Sequence, residues 1–160
     1  MLSDEKMSTK TKDAGEYTKT INNKRVYEAR KAIIKDNENI LLVRLNPELP
    51  FLEGEWEVPD GRIHAGETED VALKREVREE VGIEIIIKEK INDWKLDLPD
   101  FSLHGKSFLC ESLSTRVVLD DPERQHIDFR WVTIKEALKY NIPNWLRKGL
   151  EIIRDTPESS

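Results

Sequence analysis

The chain has 160 residues and a formal net charge of −6. This length is typical of one domain, and the acidic balance argues against non-specific binding to a nucleic-acid backbone, which requires Lys and Arg to neutralise phosphates. A free nucleotide is still compatible with the composition, because a bound divalent cation can supply positive charge locally. The sequence has no apolar run near the roughly 20 residues of a membrane span, no apolar signal-peptide core at its start and a single cysteine. We therefore expect a cytoplasmic protein.

The first half of the chain begins with a polar segment and continues into β-prone runs. Residues 1–22 carry few large apolar side chains, which predicts a flexible tail, with a partner-binding arm as the alternative. The β-prone runs at 26–34 and 40–45 are separated by five polar residues, a pattern typical of a hairpin. The segment 46–54 contains two prolines and a glycine. It is interpreted either as a loop over a pocket or as a surface loop that tucks Phe51 into the core.

A strand, a turn and a helix follow in close succession. The strand at 56–59 ends at its proline and leads into a turn at 60–61. Thr68 has the residue type of a helix N-cap, and Gly82 is the expected stop. Apolar residues recur every four positions between these ends and predict the stripe that the helix buries; they are Leu73, Val77 and Val81.

Three carboxylates share one face of this predicted helix. Glu76, Glu79 and Glu80 are spaced i, i+3 and i+4, so their side chains project together. Such like-charged neighbours destabilise a bare helix by a few tenths of a kcal/mol, which favours a bound cation, although a solvated helix face is the alternative. Mg²⁺ prefers oxygen ligands, and the turn at Asp60 offers a backbone carbonyl as a further one. Metal-assisted hydrolysis of a phosphoanhydride suits this chemistry best.

The second half of the chain alternates between strands and helices. Its predicted elements are a strand at 83–87, a loop at 96–106, at least one strand within 108–119, a strand at 129–132, a helix at 134–140 and a last helix from Pro143. With the preceding elements they form one domain over 23–155, followed by a frayed end at 156–160. The interleaving predicts an α/β or α+β fold with a central mixed sheet.

The spacing over residues 61–83 resembles the box of the Nudix hydrolase family. That box reads Gly, five residues, Glu, seven residues, Arg-Glu, an aliphatic residue, any residue, Glu-Glu, any residue, Gly and an aliphatic residue. Every fixed position is matched, by Gly61, Glu67, Arg75, Glu76, Val77, Glu79, Glu80, Gly82 and Ile83. The resemblance extends from about residue 26 to 132 through the order of elements. It implies a Nudix-type α/β/α sandwich and Mg²⁺- or Mn²⁺-dependent cleavage of a nucleoside diphosphate linked to another group.

The same resemblance implies a role for each matched side chain. Glu76 and Glu80 would be the principal metal ligands, Glu79 would ligate directly or through water, Arg75 would orient the carboxylates, and Glu67 would hold the loop or contact the metal. The chain departs from the commonest form at Asp60, where many members carry a second glycine. Its backbone carbonyl is the expected ligand, and an aspartate can still adopt left-handed backbone angles.

Further binding residues are expected outside the box. Many members add an acidic group from the loop before a Trp-containing strand, here the strand of Trp131. The candidates are Asp120, Asp121, Glu123 and Asp128, with Glu123 preferred as a metal ligand and a merely solvated loop as the alternative. For substrate, Arg44 and Arg62 could contact phosphates or be ordinary surface cations, and Phe51 and Trp94 are candidates for nucleobase contact. Trp56 and Trp131 are expected in the core.

The sequence leaves the substrate open. Nucleoside triphosphates, ADP-ribose, nucleotide sugars and dinucleoside polyphosphates all contain the predicted linkage. A Nudix-fold nucleotide sensor without turnover is the alternative function, although such a module has no need of every catalytic carboxylate. The family also implies assembly as a homodimer.

Overall fold

The computed structural model describes residues 11–13, 16–49, 54–120 and 125–157. Within these residues one nine-stranded sheet carries helices on both faces. The strands are β1 (Thr11–Asp13), β2 (Glu16–Ile21), β3 (Lys24–Asp36), β4 (Asn39–Leu45), β5 (Trp56–Glu57), β6 (Asp60–Gly61), β7 (Ile85–Asp97), β8 (Phe101–Ser112) and β9 (His126–Thr133). The helices are α1 (Glu69–Val81), α2 (Ile134–Ala137) and α3 (Asn144–Asp155). None of these helices is long and apolar enough to cross a bilayer.

The predicted hairpin of β3 and β4 is confirmed, and its two strands diverge. They pair next to their turn, where Asn37 adopts a left-handed φ of 53°. Farther from the turn, β6 occupies the edge of β3, while β5 occupies the edge of β4. The other edges of the two strands pair with β8, in parallel, and with β9. The gap between the diverging strands is therefore filled by residues 56–61, which lead directly to the predicted site.

Two apolar cores lie on opposite faces of the sheet. Alternate residues of β3 serve different cores, since Ala32 and Ile34 pack toward α1 whereas Ile33 packs toward α3. The predicted stripe of α1 is fully buried in the first core; it comprises Leu73, Val77 and Val81. Burial of side chains of this size stabilises the fold by about 1.5–3 kcal/mol each. The predicted α/β/α sandwich with a mixed sheet is confirmed.

The N-terminal segment differs from the predicted flexible tail over the residues that the structure describes. β1 pairs with β2, and β2 pairs with β3. The connection between β2 and β3 is the dipeptide Asn22-Asn23, whose φ values are 55° and 61°. Two successive positive φ angles at Asn are characteristic of the type I′ turn that joins two-residue hairpins. The Asn22-Asn23 dipeptide is the sequence signal that predicts this hairpin. The Lys and Thr residues around it made the segment resemble a polar tail.

The predicted loop at 96–106 is wrong, because most of this segment belongs to a long hairpin. β7 and β8 pair from Ile85↔Ser112 to Asp97↔Ser102, and only residues 98–100 connect them. Within the part of the chain that the structure describes, β7 pairs only with β8, so it is an edge strand with many exposed polar side chains. Polar edge positions obscure the apolar alternation on which sequence reasoning depends. The predicted turn at 60–61 is likewise a short strand, β6.

The single cysteine is expected to be unreactive in the folded protein. Cys110 is fully buried in the core on the α1 face, as predicted for a structural thiol, and burial raises its pKa from 9.0 to about 12. Because the thiolate is the nucleophile, we expect its reaction with a disulfide reagent near neutral pH to be about 10³-fold slower than in the unfolded chain. Absorbance of the released thiolate measures both rates. Equal rates with and without guanidinium would contradict this account.

Candidate functional site

Local capping signals fix both ends of α1. The hydroxyl of Thr68 accepts a hydrogen bond from the backbone N–H of Val71 at 3.3 Å, which satisfies one of the unpaired donors of the first turn. Gly82 adopts the left-handed conformation with φ 71°, and its N–H donates to the carbonyl of Arg78 at 3.0 Å. These caps determine where the helix starts and ends. The buried apolar stripe determines its rotation about its own axis, and therefore the face from which the glutamates project.

Arg75 connects the loop before α1 with the glutamates of the helix. Its Nε donates to Glu67 Oε2 at 2.6 Å, and one terminal nitrogen, Nη1, donates to the carboxylates of both Glu76 and Glu79. The other terminal nitrogen donates to the backbone carbonyl of Arg62 at 2.9 Å. A guanidinium can hold several acceptors at once because its donors form a rigid planar fork. The structure thus brings Arg75 together with three predicted site carboxylates.

The carboxylate of Glu67, in the loop before α1, accepts hydrogen bonds from two residues. In addition to Arg75, the backbone N–H of His64 donates to Glu67 Oε1 at 2.9 Å. The hydrogen bond from Arg75, followed by that from His64, lowers the pKa of Glu67 to about 2. The loop conformation therefore depends on an ionised Glu67.

This ion pair predicts a pH-dependent contribution to stability. A carboxylate whose folded-state pKa is depressed stabilises the fold above its unfolded pKa, and that stabilisation is lost as the pH falls toward the folded value. We expect Glu67→Gln to be less stable than the natural chain at neutral pH. The difference should shrink between about pH 4.5 and pH 2. Urea unfolding at pH 7 and near pH 3.5 measures it. A difference that does not change with pH would show that the Glu67 charge is not involved.

The three clustered glutamates occupy different environments. The side chain of Glu79 is 53% exposed, whereas those of Glu76 and Glu80 are 16% and 8% exposed. Burial raises the pKa of Glu76. Burial also raises the pKa of Glu80, as do the charges of Asp60 and Glu76. Glu80 is therefore buried and Glu76 is partly buried, and we call these two residues the acidic pair, while Glu79 faces solvent beside Arg75.

Asp60 lies against this acidic pair. Its backbone N–H donates to Glu80 Oε1 at 3.4 Å, and its negative charge is one of the causes that raise the pKa of Glu80. Asp60 lies in β6 and is not among the residues with positive φ, so this position does not require left-handed angles. The glycine that the packing requires is Gly61, because a Cβ there would lie 3.1 Å from the Cα of Leu73 in α1.

Sequence reasoning missed a buried cation next to Asp60. Lys31 lies in β3, and its Nζ is 2.6 Å from Glu57 Oε1 and 3.7 Å from Asp60 Oδ2. Burial alone would lower the pKa of Lys31, but the charges of Glu57 and Asp60 raise it. The sequence signal was the position of Lys31 directly before Ala32 and two isoleucines, which are fully buried. Because a lysine is rarely buried without an acidic partner, this position predicts a nearby carboxylate.

A second missed residue, His126, approaches the acidic pair from β9. Its Nδ1 lies 3.7 Å from Glu80 Oε1, and the His126 side chain is only 3% exposed. The register of β4 and β9 shifts between Arg44 and Leu45, opposite this histidine. Such bulges change the direction in which nearby side chains point. The expected acidic ligand of this region, Glu123, lies outside the described residues, so its role stays a prediction.

The structure describes Arg44 and Arg62, which are two of the three predicted substrate-binding residues. Arg44 lies on β4 opposite Asp128, with its guanidinium 3.6 Å from Glu55, and its side chain is 41% exposed. Arg62 follows β6, where its carbonyl accepts the hydrogen bond from Arg75. Phe51 lies outside the described residues. Both arginines therefore remain candidates for phosphate contact.

Trp94, a candidate for nucleobase contact, packs within the fold, and that contact stays a prediction. Its ring stacks on Trp145, with centroids 4.7 Å apart and planes 8° apart. The ring also covers Gly105, where an added Cβ would lie 2.1 Å from carbon atoms of the Trp94 ring. Trp94 is thus held between a helix and a neighbouring strand. Trp56 is buried and Trp131 packs against the core, as predicted.

The donor set fits a hard divalent cation. Among the described residues, no group of three or more His, Cys, Asp or Glu side chains is arranged so that it could hold a metal ion by itself. Nevertheless, the pKa values of the partly buried Glu76 and the buried Glu80 are both raised, and Asp60 is adjacent, so these carboxyl groups repel one another when ionised. A cation would relieve this repulsion, and oxygen donors are those that Mg²⁺ and Mn²⁺ prefer. The site residues therefore fit the metal that the resemblance implies.

Known proteins share both the sequence pattern and the fold. The family model of the NUDIX domain matches residues 27–151. The chain is 33% identical over 109 residues to the "Putative 8-oxo-dGTP diphosphatase 2" of Mycobacterium tuberculosis, covering 66% of this chain and 71% of that relative. It is 24% identical over 132 residues to the "Nucleoside triphosphatase NudI" of Escherichia fergusonii, covering 75% of this chain and 91% of the relative.

Solved structures show the same architecture. The crystal structure of a MutT protein from Methanosarcina mazei Go1 matches with a TM-score of 0.71 and 22% identity, covering 83% of this chain and 96% of that chain. An Ap4A hydrolase from C. elegans matches with a TM-score of 0.64 and 20% identity, covering 79% and 94% of the two chains. At these identities the solved structures establish the fold alone.

Proposed function

Since the chain belongs to the Nudix hydrolase family, we propose that it cleaves the pyrophosphate linkage of a nucleoside diphosphate derivative with the help of a divalent cation bound at Glu76 and Glu80. The observation that supports the metal is the acidic pair on α1. These two carboxyl groups are 16% and 8% exposed, and their pKa values are raised by burial. Such an arrangement is costly for a purely structural role and well suited to a cation.

The side chains around the pair have separate tasks in this proposal. Glu76 and Glu80 would hold Mg²⁺ or Mn²⁺, Glu79 would ligate directly or through water, and the backbone carbonyl of Asp60 would add an oxygen. Arg75 fixes the orientation of Glu76 and Glu79 through its hydrogen bonds. A divalent cation held by these residues would lower the pKa of a bound water and offset the charge of the phosphates. Positioning and charge neutralisation then supply most of the catalysis.

We propose a nucleoside triphosphate as the substrate class to examine first. Support comes from the two relatives described above, which are named as a diphosphatase of 8-oxo-dGTP and a nucleoside triphosphatase. Arg44 and Arg62 are the side chains proposed to contact the phosphates. ADP-ribose and nucleotide sugars are the alternative substrates, because they contain the same linkage. A cytoplasmic location and a homodimeric assembly remain predictions from the sequence.

A substrate panel tests this proposal. The full chain is incubated with Mg²⁺ or Mn²⁺ and with canonical and oxidised nucleoside triphosphates, ADP-ribose, a nucleotide sugar and a dinucleoside polyphosphate, and the products are separated by anion-exchange chromatography. We expect a nucleoside monophosphate to be released from at least one triphosphate at the highest kcat/KM of the panel. Faster cleavage of ADP-ribose would reassign the substrate. Nucleotide binding without any product would support the sensor function instead.

A further inference from the structure

β9 forms an edge of the sheet that differs from the edge formed by β7. Within the described residues, β9 pairs only with β4, and its register is regular from Asp128 to Thr133. This strand exposes two large apolar side chains, Ile127 and Phe129. In contrast, β7 exposes mainly Lys, Glu and Asp side chains and contains two register shifts. Charges and irregular pairing protect an open edge from binding another strand. The β9 edge has less of this protection.

The backbone of β9 presents its outward hydrogen-bonding groups at Phe129 and Trp131. The N–H of Phe129 donates to Asp128 Oδ1 at 2.8 Å, so it does not point to β4. In an antiparallel ladder, residues alternate between those that bond to one neighbouring strand and those that face the other side. The outward groups of Phe129 and Trp131 are therefore placed to bond to a further antiparallel strand.

The side chains of β9 separate into a charged face and an apolar face. Arg130 lies over the ring of Trp56, 5.5 Å from its centroid, on the side of the sheet that carries α3. Asp128 lies on the same face, with its Oδ2 3.9 Å from Arg130 Nη2, and both side chains are about half exposed. Trp131 packs against the core on the opposite face, and Phe129 shares that face because side chains alternate along a strand.

This pattern is complementary to itself in one antiparallel register. When Phe129 lies opposite Phe129 of a second copy, Asp128 of each copy lies opposite Arg130 of the other. Two pairs of unlike charges then form on one face, while Ile127 and Trp131 flank the two phenyl rings on the other face. A register centred on Asp128 or on Arg130 would instead place like charges opposite each other, which is unfavourable. The charges thus select the register centred on Phe129.

We propose that a second copy of this chain docks on the edge of β9, with the two strands antiparallel and Phe129 at the two-fold axis. Such a contact uses the same surface of both copies and extends the sheet across them. The outward N–H of Phe129 exchanges its neighbouring side chain for a carbonyl of the second copy, which frees Asp128 to face Arg130. This inference goes beyond the proposed function and does not depend on a bound cation.

The test is sedimentation velocity of the full chain over a series of protein concentrations. We expect a monomer–dimer equilibrium for the natural chain. Asp128→Arg and Arg130→Asp each place like charges opposite each other and should raise the Kd of the dimer by about 10-fold or more. The variant that carries both substitutions restores unlike pairs, so its Kd should return to within about threefold of the natural value. Lys95→Asp makes the same charge change as Arg130→Asp at an exposed position of β7 and should leave the Kd unchanged.

Three results would overturn the proposal. The natural chain could sediment as a monomer at every concentration up to its solubility limit. The dimer could persist unchanged in both single variants, which would place the interface elsewhere. Both single variants could weaken the dimer without recovery in the double variant, which would exclude the register centred on Phe129. Circular dichroism verifies that each variant is folded. Amide hydrogen exchange by nuclear magnetic resonance locates the contact independently, because the Phe129 amide should exchange more slowly as the natural chain dimerises.

Discussion

Replacing Glu80 by glutamine is expected to lower kcat by about 10³-fold or more, equivalent to roughly 4 kcal/mol of transition-state stabilisation. Glu80 is the most buried of the three clustered glutamates, and it is the one that contacts Asp60 and His126. Glutamine has nearly the same shape but cannot carry the charge that a metal ligand or a general base requires. The loss should therefore appear in the chemical step.

The fold of the Glu80→Gln variant should be preserved. In the absence of a cation, the raised pKa of Glu80 reflects burial and repulsion from Asp60 and Glu76, so a neutral side chain relieves unfavourable interactions. Circular dichroism and thermal unfolding should match those of the natural chain. Glu84→Gln is the matched control, because Glu84 is an exposed partner of Arg78 just beyond α1. Turnover by Glu80→Gln within about threefold of the natural rate would contradict the assigned role.

Replacing Arg75 by lysine is expected to damage both stability and activity. The guanidinium donates to three carboxylates and to the carbonyl of Arg62, whereas an ammonium cannot reproduce this planar arrangement. A hydrogen bond to a charged group contributes about 1.5–3 kcal/mol to stability. We therefore expect the free energy of unfolding of Arg75→Lys to fall by about 1–3 kcal/mol. The rate of turnover should fall by about 10- to 100-fold, because Glu76 and Glu79 lose the guanidinium that hydrogen-bonds to both of them.

Arg78→Lys provides the matched comparison on the same helix. Arg78 pairs with Glu84 at the surface, and its side chain is 55% exposed. Exposed ion pairs contribute little to stability. Urea unfolding and steady-state kinetics of the two variants should thus differ clearly. If Arg75→Lys behaved like Arg78→Lys in both measurements, the network around Arg75 would have no organising role.

The parts of the site that could be predicted are those encoded locally. The N-cap at Thr68, the left-handed stop at Gly82 and the four-residue spacing of Leu73, Val77 and Val81 all lie within one helix and its flanks. These signals determine a helix and its buried face without reference to the rest of the chain. The same spacing placed Glu76, Glu79 and Glu80 together, although it could not tell which of them would be exposed.

The parts that could not be predicted depend on strand register. Lys31 contacts Glu57 and Asp60 because β3 and β6 pair with Lys31 opposite Asp60. His126 approaches Glu80 because β9 pairs with β4 across a register shift. A change of one residue in register would turn each side chain to the opposite face. Sequence spacing carries no information about such pairings, which is why the neighbours of the acidic pair emerged only from the fold.

The most direct test of the proposed metal-dependent hydrolysis is ³¹P nuclear magnetic resonance of a nucleoside triphosphate incubated with the full chain and Mg²⁺. The account predicts that the triphosphate resonances are replaced by those of a nucleoside monophosphate and pyrophosphate. It also predicts that the conversion stops when a chelator removes the cation and is lost in Glu80→Gln. Conversion that continues at the same rate in the presence of the chelator, or in Glu80→Gln, would contradict the assignment of a catalytic cation to Glu76 and Glu80.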